Sequence, residues 1–384
     1  MAEIVAAAAA VHAPQLLSRP PYEEIDKLDN STAALHAFGR VLDAARPDAV
    51  LVIGIDHLET FWLEAVPAFT LVVSQECEAV YTRWRRRKEI HTSLAVDLLK
   101  GVIARDFDVT YSQQAELGHA FLTPFEHILG DSDVPVIPLL VNTYLPPIPS
   151  PHRCYALGKA IADALADRPE RIAVIASGGM SHFPGTSRYT APNYAFDKWL
   201  IQETAAGRYD DLLGLTSVNL DEVGESELLT WCVLLGITGG ELPGHLLSYQ
   251  ELSHHGHGVI QFVPGLGPTT EQSERSEKFE QPEPERIARY GGHVFRQEDY
   301  VYYRFPEPRS LPLNRFLRQI VTQTDFRSAF VADRDGAIAT SGLGAGEREA
   351  LAADGFDRLV ELGAHPLLAL SAWQVVKNDL AAAG

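Results

Sequence analysis

The chain has 384 residues, 46% of them hydrophobic, and a formal net charge of −19. That length carries two or three domains, and the acidic balance excludes a nucleic-acid binder, which needs a basic face. No apolar run is long enough to span a bilayer. The cysteines (Cys77, Cys154, Cys232) are too few and too scattered for a disulfide framework or a structural zinc cluster, so a reduced, cytoplasmic setting is expected.

In chain order, the start "MAEIVAAAAAVHAP" has neither the basic region nor the cleavage pattern of a signal peptide, and reads as a first buried strand over 3–11. Further strands are predicted at 49–55, 69–74, 134–141, 171–177 and 257–263. Between them, apolar residues recur at three- and four-residue steps over 31–45, 92–106, 152–167 and 226–237, the signature of amphipathic helices. The basic run "RWRRRK" (83–88) reads as the solvated start of a helix, with an anion-steering patch as the alternative. Strands alternating with helices predict an α/β catalytic domain whose central, mostly buried sheet is flanked by helices.

Composition changes after Val263. The stretch 266–300, rich in Pro, Glu and Ser, reads as a linker or extended segment. Residues 301–384 carry helical periodicity throughout, which predicts a small all-helical second domain.

The histidines are unevenly placed. His12 follows the first strand ("AAVHAP"), His57 the second ("VIGIDH") and His182 the fifth ("IASGGMSH"). Ligands of open α/β sheets bind outside the carboxyl ends of the strands, so three histidines there predict one site assembled from distant parts of the chain. Two imidazoles and one carboxylate that leave positions open are the donor set of non-heme Fe(II) oxygenases. The acid must come from elsewhere, and "GESELLTW" offers Glu225 and Glu227 near a helix start, where a plain capping role competes. His119, in "AELGHAFLTPF", precedes a Thr-Pro expected to open a helix. "SHHGHG" (253–258) looks metal-binding by composition, but its spacing suits a turn into the last strand. No dinucleotide fingerprint, P-loop or nucleophile elbow is present.

Together "GGMSH", "GHAFLTPF", "SELLTW" and the contexts of His12 and His57 resemble the class III extradiol ring-cleaving dioxygenases, the protocatechuate 4,5-dioxygenase family. The resemblance covers nearly the whole chain. Residues 1–265 look like the catalytic β subunit and 301–384 like the small helical α subunit, fused as in gallate dioxygenases. It implies an oxidoreductase that binds Fe(II) and opens a carboxylated catechol or triol, gallate- or protocatechuate-like, with O2. It also implies a homodimer and no nucleic-acid or membrane partner. By this resemblance His12, His57 and Glu227 are metal ligands, with Glu225 the second choice for the acid. His182 is the catalytic acid/base, His119 a second catalytic histidine, and Ser253 a contact for the substrate carboxylate. Ile55 stands where protocatechuate enzymes usually have asparagine. This departure leaves room for other substrates, a hydroxylated pyridine or another diol among them, or for a metal-binding relative that opens no ring.

Overall fold

The computed structural model describes residues 3–239, 242–262 and 300–383; the expected linker 266–300 lies outside them except for Tyr300. The chain divides into two compact units. One comprises Met1–Tyr144, Ile148–His182 and Ala191–Phe295, the other Leu145–Pro147, Phe183–Thr190 and Arg296–Gly384.

The larger unit runs β1 (Glu3–Ala10), α1 (Gln15–Ser18), α2 (Ile25–Ala45), β2 (Ala49–Ile55), β3 (Phe69–Val72), β4 (Glu76–Tyr81), β5 (Trp84–Glu89), α3 (Thr92–Ile103), β6 (Thr110–Ser112), β7 (Glu116–Leu117) and α4 (His119–Pro124). It continues through β8 (Val136–Val141), α5 (Pro151–Leu165), β9 (Arg171–Ser177), α6 (Tyr194–Ala205), α7 (Asp210–Leu213), α8 (Ser217–Val223), α9 (Leu228–Ile237), β10 (His245–Glu251) and β11 (Gly256–Phe262). Eight strands form one sheet in the order β10-β11-β1-β9-β2-β8-β3-β6. The four central ones, β1, β9, β2 and β8, are mutually parallel. All seven residues of β2 and all six of β8 are buried. Continuous apolar runs of this kind are what a parallel strand covered on both faces requires. Helices α3, α5 and α9 pack in series in one layer; α2 packs on the π-helical turn Phe125–Leu129 that continues α4. α9 is buried at every position, so its ten residues show no polar face.

The expected strands are present with ends shifted by at most two residues. The basic run is the exception. Residues 84–89 are strand β5, paired antiparallel with β4, not the start of a helix. Arg85 and Arg87 reach Glu78 and Glu76 across the hairpin, Arg86 binds Glu126, and buried Lys88 donates to the carbonyls of Gly130 and Ser132. Cross-strand charge pairs replaced the apolar alternation by which a strand is normally read. Nor does Thr123-Pro124 open a helix. Helix α4 begins at His119, and Pro124 lies at its end.

In the smaller unit the helix Leu311–Thr322 buries Leu313, Phe316, Leu317 and Ile320, a stripe at helical spacing. The buried amide of Asn314 donates to the carbonyls of Ser310 and Gly363 and accepts from the His365 N–H, tying that helix to the last one. Tyr303 donates to the Pro184 carbonyl at 3.0 Å, which ties the segment 183–190 into this unit.

Candidate functional site

His12 lies two residues past β1, His57 two past β2 and His182 five past β9. These strands are neighbours in the sheet and run parallel, so the three imidazoles leave the same edge. The next parallel strand, β8, adds Tyr144, three residues past its end. β11 is antiparallel to β1, so its start lies at that edge too, and it brings His255. Sequence reasoning missed Tyr144 and left the role of His255 open. Strand direction is the signal that finds both.

The acid at the centre is Glu227. It precedes α9 but makes no side-chain cap there. Its carboxylate is fully buried and faces the histidines: Oε2 is 3.3 Å from His12 Nε2, and Oε1 is 3.3 Å from His57 Nε2 and 3.2 Å from His182 Nε2. Tyr144 donates its hydroxyl to Oε1 at 2.8 Å, and the Gly179 N–H donates to Oε2 at 2.5 Å. Burial alone would raise this carboxyl; the neighbouring His12 and His182 outweigh it and hold Glu227 well below the usual carboxylate range. Glu225 points elsewhere. It lies against buried Asp197, and burial followed by the charge of Asp197 pushes its carboxyl well above the ordinary value. Asp197 in turn accepts from the Ser181 N–H and the Tyr249 hydroxyl.

The two glycines before His182 have a packing cause. A Cβ on Gly178 would lie 2.5 Å from Thr230 Oγ1 and 2.7 Å from the Glu227 carbonyl. One on Gly179 would lie 2.4 Å from His255 Cε1 and 3.0 Å from Glu227 Oε2. Their bareness lets Glu227 and His255 close on the loop.

Each imidazole is held differently. His12 Nδ1 meets the Ser177 hydroxyl at 3.2 Å, and that hydroxyl donates to the Ala120 carbonyl. His57 stacks on His119 with ring centroids 3.9 Å apart, while its Nδ1 is buried with no hydrogen-bond partner among the described residues. Burial, with His119 beside it, pushes His57 down to about 3. His182 donates from Nδ1 to the Met180 carbonyl at 2.9 Å, and its Nε2 lies 3.0 Å from the Tyr144 hydroxyl. Burial opposes its charge, but Glu227 outweighs burial and raises this imidazole above its ordinary value. His255 packs on His182 at 4.0 Å and bonds the Gly256 carbonyl; burial and the adjacent His182 keep it neutral. His119 meets Glu59 through Nδ1 at 3.2 Å and has the Tyr81 ring 5.2 Å away. Ser253 is not brought into this cluster: it is exposed in the β10–β11 turn, and its backbone amide faces Glu23.

These groups can hold a metal. Donor atoms of His12, His57 and His119 lie within 4.8 Å of one another, as do those of His182, Glu227 and His255. Glu227 joins the two groups. Two cis ligands on a small divalent ion with bonds of about 2.1 Å sit ~3 Å apart. The 3.3 Å separations of Glu227 from His12 and His57 fit that requirement.

Residues 6–260 match the family model described as the catalytic LigB subunit of aromatic ring-opening dioxygenase. The chain belongs to this family. A stretch of 190 residues is 32% identical to the 2,3-dihydroxyphenylpropionate/2,3-dihydroxicinnamic acid 1,2-dioxygenase of Mycolicibacterium vanbaalenii, over 49% of this chain and 59% of that protein. The Paraburkholderia xenovorans protein of the same name is 32% identical over 154 residues, 38% of this chain and 49% of that protein. The chain thus spans about three-fifths or less of the curated relatives' length. It is also similar to the solved structure of an uncharacterized protein from Escherichia coli K12, with TM-score 0.48 and 17% identity over 67% of this chain and 99% of that one. The three cysteines are free and buried, and no helix among the described residues is long and apolar enough to cross a membrane.

Proposed function

We propose that the protein is a non-heme Fe(II) extradiol dioxygenase that opens the ring of a carboxylated catechol or triol with O2. The observation that carries this reading is the buried Glu227 carboxylate with one oxygen on His12 and the other on His57, and with His182 beside it. In this reading His12, His57 and Glu227 hold the iron. When bound, Fe(II) supplies the meeting point at which a catecholate and dioxygen exchange electrons.

The remaining steps belong to the chain. His182 is fixed by its Nδ1–H on the Met180 carbonyl, so Nε2 is the nitrogen that exchanges protons. In its neutral form that nitrogen takes a proton from a substrate hydroxyl, and the raised pKa favours holding it until the opened ring needs it. Tyr144, bonded to both His182 and Glu227, orients that nitrogen. His119 accepts from the second substrate oxygen. The near-complete burial of His12, His182 and Glu227 keeps bulk water from the reacting groups.

An anionic substrate needs a cation in an acidic protein. Arg83, at the tip of the β4–β5 hairpin, has no carboxylate partner among the described residues. It lies over the Trp84 ring, which stacks on Tyr81, the neighbour of His119. This route from the cluster supports a substrate whose carboxylate is carried toward Arg83. Ser253, exposed beside Glu23, supplies no contact to the substrate in this reading, and homodimerisation is tested by sedimentation. The relatives are named for dihydroxyphenylpropionate, so that acid belongs beside protocatechuate, gallate and unsubstituted catechol in the assay. The test is oxygen uptake by Fe(II)-reconstituted protein across this panel, with both atoms of labelled O2 found in the product. Binding of diols without uptake would contradict the reading.

A further inference from the structure

His119 has a partner of its own. The largely buried Glu59 sits two residues past His57 and places Oε1 3.2 Å from His119 Nδ1. Its other oxygen, Oε2, is buried with no hydrogen-bond partner among the described residues, so the imidazole is what the carboxylate addresses. The space it occupies is made by sequence: a Cβ on Gly118 would lie 1.3 Å from Glu59 Oε2. Any side chain at 118 displaces this carboxylate. The loop carrying it is pinned as well. Asp56 accepts from the N–H groups of Glu59, Thr60 and Phe61, and the Thr60 hydroxyl donates to the Glu116 carbonyl next to the His119 segment.

Resting on the ring-opening reading of the site, we infer that Glu59 is a positioning residue that fixes the tautomer and orientation of His119. An ionised carboxylate only accepts, so the proton sits on Nδ1 and Nε2 is left as the acceptor. Stacking on His57 and the Tyr81 ring limit how the imidazole can turn. A backbone carbonyl could orient a histidine equally well. Here the acid comes from the loop of one proposed ligand and serves a catalytic histidine on another element, so the two move together.

The test is a double-mutant cycle on the Fe(II)-loaded full chain. Partners that orient a histidine are worth about 10- to 100-fold when removed. Glu59→Ala should lower kcat by about that factor with KM and iron content unchanged. Gly118→Ala should reproduce it by displacing the carboxylate. Glu59→Gln keeps an acceptor carbonyl and should recover most of the rate. In a His119→Ala background, Glu59→Ala should add nothing. A full additional loss in that background, a Glu59→Gln variant as slow as Glu59→Ala, or an unaffected Glu59→Ala overturns the inference. A readout independent of turnover separates its failure from that of the functional reading. The ¹⁵N spectrum of His119 in zinc-loaded full-length protein should report the Nδ1–H tautomer, lost in Glu59→Ala; an Nε2–H tautomer in the parent overturns it even if no ring is opened.

Discussion

Two histidine groups meet at Glu227, and they are built on different footings. His12 and His57 lie within two residues of buried parallel strands, and His12 is braced by Ser177, itself the last residue of β9. His182 stands on a glycine loop, bonded to a carbonyl of that same loop and sharing its Nε2 environment with the Tyr144 hydroxyl. A metal ligand must not move, and a proton carrier must exchange partners. The rigid footing suits the first task and the loop with a second hydrogen-bonding group suits the second.

The comparison breaks most visibly if a ligand is removed. His12→Ala or Glu227→Gln should abolish turnover and metal retention together, as metal analysis and oxygen uptake would register. Turnover persisting in either variant would merge the two groups into one. His182→Ala comes next: metal and anaerobic substrate binding remain, while kcat falls by about 10² to 10⁴-fold. A near-normal kcat would reduce that loop to scaffold.

A finer cut is Tyr144→Phe. It deletes the hydroxyl that donates to Glu227 and touches His182 but leaves the ring. Hydrogen bonds to charged groups are worth about 1.5–3 kcal/mol, so kcat should drop about 10- to 100-fold with metal retained. Loss of metal instead would place Tyr144 with the strand-borne group.

The smallest effect per residue is on stability against pH. His57 in one group and His257, whose buried ring lies 5.1 Å from that of His255 in the other, are held neutral by burial, each pushed down to about 3. The unfolded chain takes up these protons near pH 6.5 and the folded one does not. What these two histidines contribute to the stability of the metal-free protein is therefore full above pH 6.5 and falls as pH drops toward 3, by up to about 1.4 kcal/mol per unit for each. Between pH 7.5 and 5.5 the urea midpoint of the parent should fall relative to that of a His257→Gln variant; parallel profiles would mean that the folded chain also accepts the proton.

What the sequence made legible follows from periodicity and chain position. The buried strands and the histidines after β1, β2 and β9 were readable because apolar runs announce a parallel sheet and its carboxyl edge announces a site. Glu227 could not be separated from Glu225 by spacing. Only the fold shows that one carboxylate faces three imidazoles and the other faces Asp197. The β4–β5 hairpin was hidden because β5 is an unbroken run of charged residues after Trp84, with no apolar alternation. Tyr144 and His255 were hidden because strand order and direction are properties of the sheet. Glu59 was hidden because the signal is a missing side chain at Gly118, beside a histidine sixty residues along the chain from the acid but in contact with it in space.

The central claim is that His12, with His57 and Glu227, holds the iron while His182 handles the proton. It is tested most directly by the iron content per chain of the parent, His12→Ala and His182→Ala proteins after identical anaerobic reconstitution and dialysis. The account predicts one iron in the parent and in His182→Ala, and none in His12→Ala. Iron retained by His12→Ala, or lost from His182→Ala, would contradict it.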